Sequence, residues 1–392
     1  MKTLPFDYAV RNLGRSLLRL ALSVLGSALV VVLIVGAGGF VRGMNEGLRR
    51  AGDERNVVVL GVGSEESFER SEIPGSTASL VSASVRGLRT RMGVPFVSPE
   101  VHSQLSVGVG AGSDSGRLIL IRGVTPVAML VHGQVQIIEG RLPHPGQDEI
   151  LAGRLAHTKL GISAAAFAVG SKVHIEGRDW TVAGRLAAPQ SVIDGEIWMP
   201  LQDLKQLMKR ETDSCVVVTL GDGPGAAELA DVVAFCRQRL DLEITAMAES
   251  SYYSRLADFF APIRTVTWIT AGLIAVSGVL GGLNTMYAAF ASRVREIGML
   301  QCLGYRRSAI VLSLIQESCL TTLSGALLAC AAALLLLDGL AVQFSMGAFG
   351  LRIDAPVLLL GLGAGLLLGL IGALPPAFRC LRLPIAESLK SI

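Results

Sequence analysis

Four stretches of the chain approach or exceed the roughly 20 apolar residues that carry a helix across a hydrocarbon core: Leu17–Val41, Thr265–Phe290, Ala309–Leu337 and Pro356–Leu374. Backbone in lipid must satisfy its own hydrogen bonds, so these segments are committed to helix before anything else about the fold is known. Composition agrees, at 51% hydrophobic and 17% charged residues with a mean hydropathy of +0.53. The first stretch follows Lys2, Arg11, Arg15 and Arg19 as a signal peptide would. Its apolar part exceeds an h-region of about 7–15 residues and no A-x-A site closes it, so it reads as a retained anchor.

Arginine and lysine accumulate in short cytoplasmic segments. Lys2, Arg11 and Arg15 before span one and Arg19 at its start stand against Asp7. Arg293, Arg295, Arg306 and Arg307 lie between spans two and three, and Arg379, Arg382 and Lys390 follow span four. The connection between spans three and four has only Arg352 against Asp338 and Asp354. Both termini and the 292–310 loop are therefore expected in the cytoplasm, with the large segment between spans one and two on the far side. The expected fold class is an α-helical membrane protein with four transmembrane helices (1+3) plus an α+β extracytoplasmic domain between spans one and two.

The expected boundaries are an amphipathic elbow helix at 1–16, TM1 at 17–41, the extracytoplasmic domain with stalk helices at 42–262 and TM2 at 263–290. A cytoplasmic loop helix at 291–308, TM3 at 309–337, a short external loop at 338–355, TM4 at 356–376 and a cytoplasmic tail at 377–392 complete the chain. The elbow rests on Phe6, Val10, Leu13 and Leu17 at helical spacing. In the external segment β-branched runs such as "NVVVLGV" and "CVVVTL" alternate with helix-like ones such as "TASLVSASVRGLRTRM" and "GAAELADVVAFCRQRL". The clearest hairpin has Val173 and Ile175 on one arm, Trp180 and Val182 on the other, and Gly177-Arg178 at the turn. Cys215 and Cys236 read as buried free thiols, their spacing carrying no disulfide framework.

Catalytic chemistry is sparse. No G-x-x-x-x-G-K-[ST] occurs, and no glycine precedes a lysine. "GVGAGSDSG" (108–116) lacks the G-x-G-x-x-G spacing and reads as a loop. The five histidines, His102, His132, His144, His157 and His174, are widely separated and read as surface residues without metal-site spacing. No G-x-S-x-G elbow is present. The spans lack a chain of carboxylates suited to proton coupling, which argues against a secondary transporter. A net charge of +3 is accounted for by the positive-inside bias and gives no case for nucleic acid. Neither a catalytic site, a cofactor nor a metal is expected in this chain. Span four places Gly361, Gly365 and Gly369 at every fourth position and span two has Gly278 and Gly282, which points to close helix packing. Asn284 is expected to face protein rather than lipid.

Three stretches carry a family likeness: "RNLGRSLLRLALSVLGSALVVVLIV" (11–35), "SRVREIGMLQCLGYRRSAI" (292–310) and "PPAFRCLRLPIAESLK" (375–390). The external run from Ile121 to Gly161 adds a G-V-x-P…G-R…E-I-L…G…L-G pattern. Together they resemble the MacB/FtsX-type ABC transporter permeases, which include the lipoprotein-releasing LolC/LolE permeases. Gln301-Cys302, Cys380 and Ser388 depart from the usual residues.

The resemblance implies a permease subunit of the bacterial inner (cytoplasmic) membrane that transmits motion rather than hydrolysing nucleotide. ATP and Mg2+ would be held by a partner ABC ATPase subunit docked on a coupling helix at Arg293, Arg295, Glu296, Ile297, Gly298, Leu300, Leu303 and Gly304. In that reading Glu296 and the apolar Ile297 and Leu300 dock, while Gly298 and Gly304 allow close approach and a turn. The implied partners are a second permease copy, in a homodimer or heterodimer, membrane lipid, and either a periplasmic adaptor with an outer-membrane channel or a lipoprotein carrier. The cargo would be hydrophobic, lipidic, a peptide or a lipoprotein. The rival readings are an FtsX-like activator of an extracytoplasmic hydrolase and a membrane sensor or signalling receptor.

Overall fold

The computed structural model describes residues 6–13, 16–109, 116–344 and 347–382. Most of "GVGAGSDSG" and the end of the "PPAFRCLRLPIAESLK" tail lie outside the described residues. The chain forms two compact units. A membrane unit comprises Met1–Arg42, Pro262–Leu340 and Leu351–Ile392. An extracytoplasmic unit comprises Gly43–Ala261 and Ala341–Gly350.

In the membrane unit, an elbow helix (Phe6–Leu13) precedes span one (Leu17–Arg49), span two (Ala261–Ala291), a loop helix (Val294–Cys302), span three (Arg307–Leu336) and span four (Ala355–Arg382). All four spans are long and apolar enough to cross a membrane. Spans one, three and four share a core of Ala28, Val31, Val35, Ala326, Ala329, Ala333 and Val357. Small side chains let these backbones approach. A Cβ added at Gly361 would lie 2.5 Å from Val35 Cγ2, and one at Gly365 would lie 2.5 Å from Ala326 Cβ. One at Gly369 would collide with Thr322 and the Cys319 backbone. The Ser318 hydroxyl donates to the Gly369 carbonyl at 2.9 Å, a bond available only at such close approach.

Span two departs from expectation. Gly278 abuts Val30 and Leu368, but Gly282 has nothing within 4 Å of an added Cβ. Asn284 is exposed rather than packed on its own bundle. Only 6% of this span's apolar window is buried. The elbow helix also presents a different face. It buries Ala9 and Asn12, leaves Val10 exposed and half-buries Leu13.

The extracytoplasmic unit is built on one mixed, mostly antiparallel sheet. Its main path runs Ile244–Ala248, Asn56–Gly61, Cys215–Thr219, Val97–Val109, Arg117–Val124, Ile197–Pro200, Glu149–Gly153, Arg178–Ala187 and Gln136–Gly140, with Lys172–Ile175 pairing off this path. The 13-residue strand Val97–Val109 links two cores. Its first residues pair with Cys215–Thr219 beside a core of Val59, Val81, Val216, Val232 and Phe235. Its later residues pair with Arg117–Val124 beside a core of Ile121, Ile150, Phe167, Trp180 and Ile197.

Several expectations shift by local geometry. The hairpin turn is Glu176-Gly177, not Gly177-Arg178, and both residues have positive φ (45° and 80°), as a type I′ turn requires. The helix expected to run on from Thr77 stops at Ser84 and gives way to a small hairpin at Thr90–Arg91 and Val94–Pro95. The expected external loop at 338–355 contains an antiparallel hairpin, Ala341–Phe344 with Gly347–Gly350, that belongs to the extracytoplasmic unit and buries Phe349 there. Cys215 and Cys236 are both buried and free.

Replacing Gly365 with Leu is expected to destabilise the bundle by about 1–3 kcal/mol, the usual cost of overpacking. Gly363→Leu on the same helix is the control, since nothing lies within 4 Å of its Cβ position. Thermal unfolding in detergent should lower the midpoint for the first variant and leave the second near the parent.

Candidate functional site

Two constellations stand out, one in each unit. Between spans two and three, the loop helix opens with Arg293 as its N-cap residue. The Arg293 Nη1 donates to both Glu317 oxygens on span three, at 2.9 and 2.8 Å, and its Nη2 donates to the Asn12 carbonyl of the elbow helix at 3.3 Å. One guanidinium therefore joins three elements. Ile297 and Gly298 are buried, and Ile297 packs with Phe290, Ile310, Leu314, Ala377 and Leu381. Leu300 is half-buried on the same cluster.

This corrects the expected docking face, because Ile297 is spent on the bundle and Arg293 on Glu317. Glu296 is half-buried and lines a polar cavity with Asn12, Arg293 and Glu317. The outward face consists of Arg295, Met299, Cys302 and Leu303, with Met299 46% and Leu303 66% exposed. Gly304 then turns the chain at φ +85°, a conformation that favours glycine. The bidentate partner Glu317 could not be assigned from sequence, since it lies 24 positions away on another helix.

The second constellation is a buried ionic network in the extracytoplasmic unit. Glu100 and His102 are two residues apart on one strand and so share a face. Register places His102 opposite Arg122, Arg122 opposite Trp198, and Glu100 opposite Cys215. Arg122 donates from Nε and Nη2 to Glu196, both at 2.8 Å, and from Nη1 to Glu100 at 3.0 Å. The second Glu100 oxygen lies 2.7 Å from His132 Nε2. Trp198 donates its indole N–H to Glu196 at 2.9 Å, and its ring lies 5.4 Å from the Arg122 guanidinium carbon.

The network continues to Glu249, the first residue of the helix Glu249–Phe259 that leads toward span two. Glu249 Oε2 accepts from the Asp53 backbone N–H and from the Asn56 side chain, both at 2.9 Å. Asp53 follows the end of the span-one helix at Arg49. Within this unit the Glu249 side chain thus ties the segment just after one helix to the start of another.

Burial alone would raise the Glu100 carboxyl, but the charges of His132 and Arg122 and the histidine hydrogen bonds overcome it and hold it well below the usual range. Burial likewise opposes ionisation of Glu196, and Arg122 again prevails and lowers it. Burial and then the Arg122 charge hold His102 below its ordinary value, so this ring is kept neutral. His132 is raised, its burial overcome by Glu100, whereas burial raises Glu249 toward its neutral form. His102 and His132 are 2% and 0% exposed, which overturns the expectation that they lie on the surface.

Glu100, His102 and Cys215 bring candidate ligand atoms within 4.8 Å of one another. The set does not suit a cation. Arg122 and His102 already occupy one Glu100 oxygen and His132 the other, and burial pushes the Cys215 thiol well above its usual range. The network borders a small cleft of about 40 Å³. Its walls include Phe68, Tyr252, Tyr253, Phe260 and Phe349.

Residues 20–234 match the family model of the MacB-like periplasmic core domain, and residues 268–385 match that of the FtsX-like permease C-terminal region. The chain belongs to the MacB/FtsX-type ABC transporter permease family. Its similarity to curated members is distant. It is 24% identical over 332 residues to a macrolide export ATP-binding/permease protein MacB of Bordetella avium, covering 81% of this chain and 50% of that protein. The corresponding MacB of Bdellovibrio bacteriovorus is 23% identical over 240 residues, covering 57% of this chain and 36% of the relative. The permease chain thus spans half or less of the length of these two relatives. Among solved structures, the periplasmic region of MacB from Actinobacillus actinomycetemcomitans aligns at 14% identity and a TM-score of 0.39, covering 53% of this chain and 94% of that one.

Arg122→Met is expected to cost about 3–5 kcal/mol by leaving Glu100 and Glu196 buried without their cation. Adding Glu196→Gln should recover part of that loss. Denaturant unfolding followed by the fluorescence of buried Trp180 and Trp198 measures both, and a single substitution without effect would contradict the network's role.

Proposed function

We propose that this permease transmits mechanical work: a separate ATPase subunit seats against the outward face of the loop helix in the cytoplasm, and its closure on ATP and Mg2+ drives the extracytoplasmic unit. The observation that carries this reading is the two-sidedness of the loop helix. One side is locked into the bundle by Ile297 and the Arg293–Glu317 pair, while the other exposes Met299 and Leu303. A short helix fixed on one side and apolar on the other is suited to pass a push from a docked protein into the spans.

The route outward is the helix Leu17–Arg49, together with the helices Glu249–Phe259 and Ala261–Ala291. The Glu249 staple to Asp53 supports that route, because it makes the helix ends in the extracytoplasmic unit move as one body. Exposed Asn284 on a span with only 6% of its window buried supports pairing with a second permease copy, since a polar amide is costly against lipid. Relatives named for macrolide export support an apolar cargo, and the lipid, peptide and lipoprotein alternatives rest on the family resemblance alone. The cargo is handed to an adaptor with an outer-membrane channel or to a lipoprotein carrier.

The double variant Met299→Asp/Leu303→Asp should reduce co-purification of the ATPase subunit at least about tenfold, equivalent to about 1.4 kcal/mol. Its thermal midpoint should stay close to the parent, as expected for exposed positions. Ile297→Asp should instead unfold the inner end of the bundle by burying a charge. Wild-type recovery of the ATPase with the double variant would overturn the docking face.

A further inference from the structure

We infer that His132 and Glu249 form a proton-operated latch: while the pair holds its protons, Glu249 keeps the segment after the first helix tied to the helix Glu249–Phe259, and proton loss at higher pH releases that tie. His132 follows the short helix Ala128–Val131 and is fully buried. Its Nε2 lies 2.7 Å from a Glu100 oxygen. An ionised carboxylate only accepts, so Nε2 carries the hydrogen and the Nδ1 of a neutral ring is a bare lone pair. That Nδ1 is buried with no hydrogen-bond partner among the described residues and lies 3.8 Å from Glu249 Oε1. A proton on Nδ1 or on the facing carboxyl makes this contact attractive. With neither, a lone pair meets a carboxylate.

Charge balance leads to the same pair. The network buries three carboxylates, Glu100, Glu196 and Glu249, with one permanent cation, Arg122. His132 faces Glu100, Glu249, the Trp198 ring and Arg122 Nη1, the last at 3.5 Å. Glu249 faces His132, the Asn56 amide and the Asp53 backbone N–H, with Glu100, Tyr253 and Cys215 in electrostatic reach. Burial keeps Tyr253 and Cys215 un-ionised, and burial with Arg122 keeps His102 neutral. Neutrality therefore takes one proton on the His132 ring and one on Glu249. Losing them leaves uncompensated negative charge in a buried site.

His132 is raised because Glu100 overcomes its burial, and Glu249 is raised by burial itself. The His132 contribution is complete below the ordinary imidazole value of 6.5 and is lost as the pH rises through the raised one. Glu249 is accommodated as the neutral acid and is penalised increasingly above the ordinary value of 4.5. The opposite slopes of Glu100 and Glu196 lie below 4.5, and that of His102 below 6.5. A window above about pH 6.5 therefore isolates the latch. The inference goes beyond force transmission and stands apart from ATPase docking, because all its residues belong to the extracytoplasmic unit.

The test is hydrogen exchange followed by mass spectrometry on the full chain in lipid nanodiscs, with rates corrected for the intrinsic effect of pH. Protection of peptides covering 50–58 and 245–255 is expected to fall between about pH 6.5 and about pH 8, by up to about tenfold per pH unit for each proton released on opening. Glu249→Gln cannot ionise, still accepts from Asp53, and can donate its amide N–H to His132 Nδ1. It should keep both segments protected across the window. Glu249→Ala should leave them exchanging quickly at every pH, and His157→Gln, outside the network, should keep the parent slope. Parent protection that does not change with pH, a parent slope retained in Glu249→Gln, or an equal slope in the strand Arg178–Ala187 would each overturn the latch.

Discussion

The guanidinium of Arg293 fixes the geometry on which the functional reading depends. Its Nη1 donates to both Glu317 oxygens and its Nη2 to the Asn12 carbonyl, which adds directional bonds to the apolar packing of Ile297, and apolar packing sets depth better than rotation. With them, the azimuth of a nine-residue helix is set, and so is the side that shows Met299 and Leu303. A guanidinium with one nitrogen shared between both carboxylate oxygens and a second on a carbonyl contributes this kind of orientation even where desolvation leaves little net stability.

Arg122 does comparable work in the extracytoplasmic unit, where it gathers Glu100 from one strand and Glu196 from the residue just before another. Through His132 the same network reaches Glu249, at the start of the helix that precedes span two. In both units an arginine with carboxylate partners far along the chain ties the ends of helices to a rigid element. The membrane bundle adds close packing rather than charge, with Gly361, Gly365 and Gly369 facing Val35, Ala326 and Thr322.

The spans were legible in the sequence because apolar length is a one-dimensional signal that lipid enforces. The row at Gly361 was legible for a similar reason, since fourfold spacing puts small residues on one face. The histidines were misread because Glu100, His102 and Arg122 alternate with Val101 and Ile121 and so look like the solvent side of an ordinary strand. Their cover includes Glu249, Tyr252 and Tyr253, more than 100 residues downstream, and no local pattern announces it. The loop helix carried a subtler ambiguity. An apolar phase at Ile297 marks a buried face, but periodicity cannot say whether the burying surface is the chain's own bundle or a partner.

The central claim is that the outward side of the loop helix is a cytoplasmic docking face. Cys302 reports on it directly, being the one cysteine that is exposed, while the others are buried or partly so. Maleimide labelling of native Cys302, in whole cells and in inverted vesicles, with and without the ATPase subunit, reads both sidedness and occupancy. The account predicts labelling from the cytoplasmic side only, with protection once the ATPase subunit is bound. Labelling from the outside, or equal labelling with and without that subunit, would contradict it.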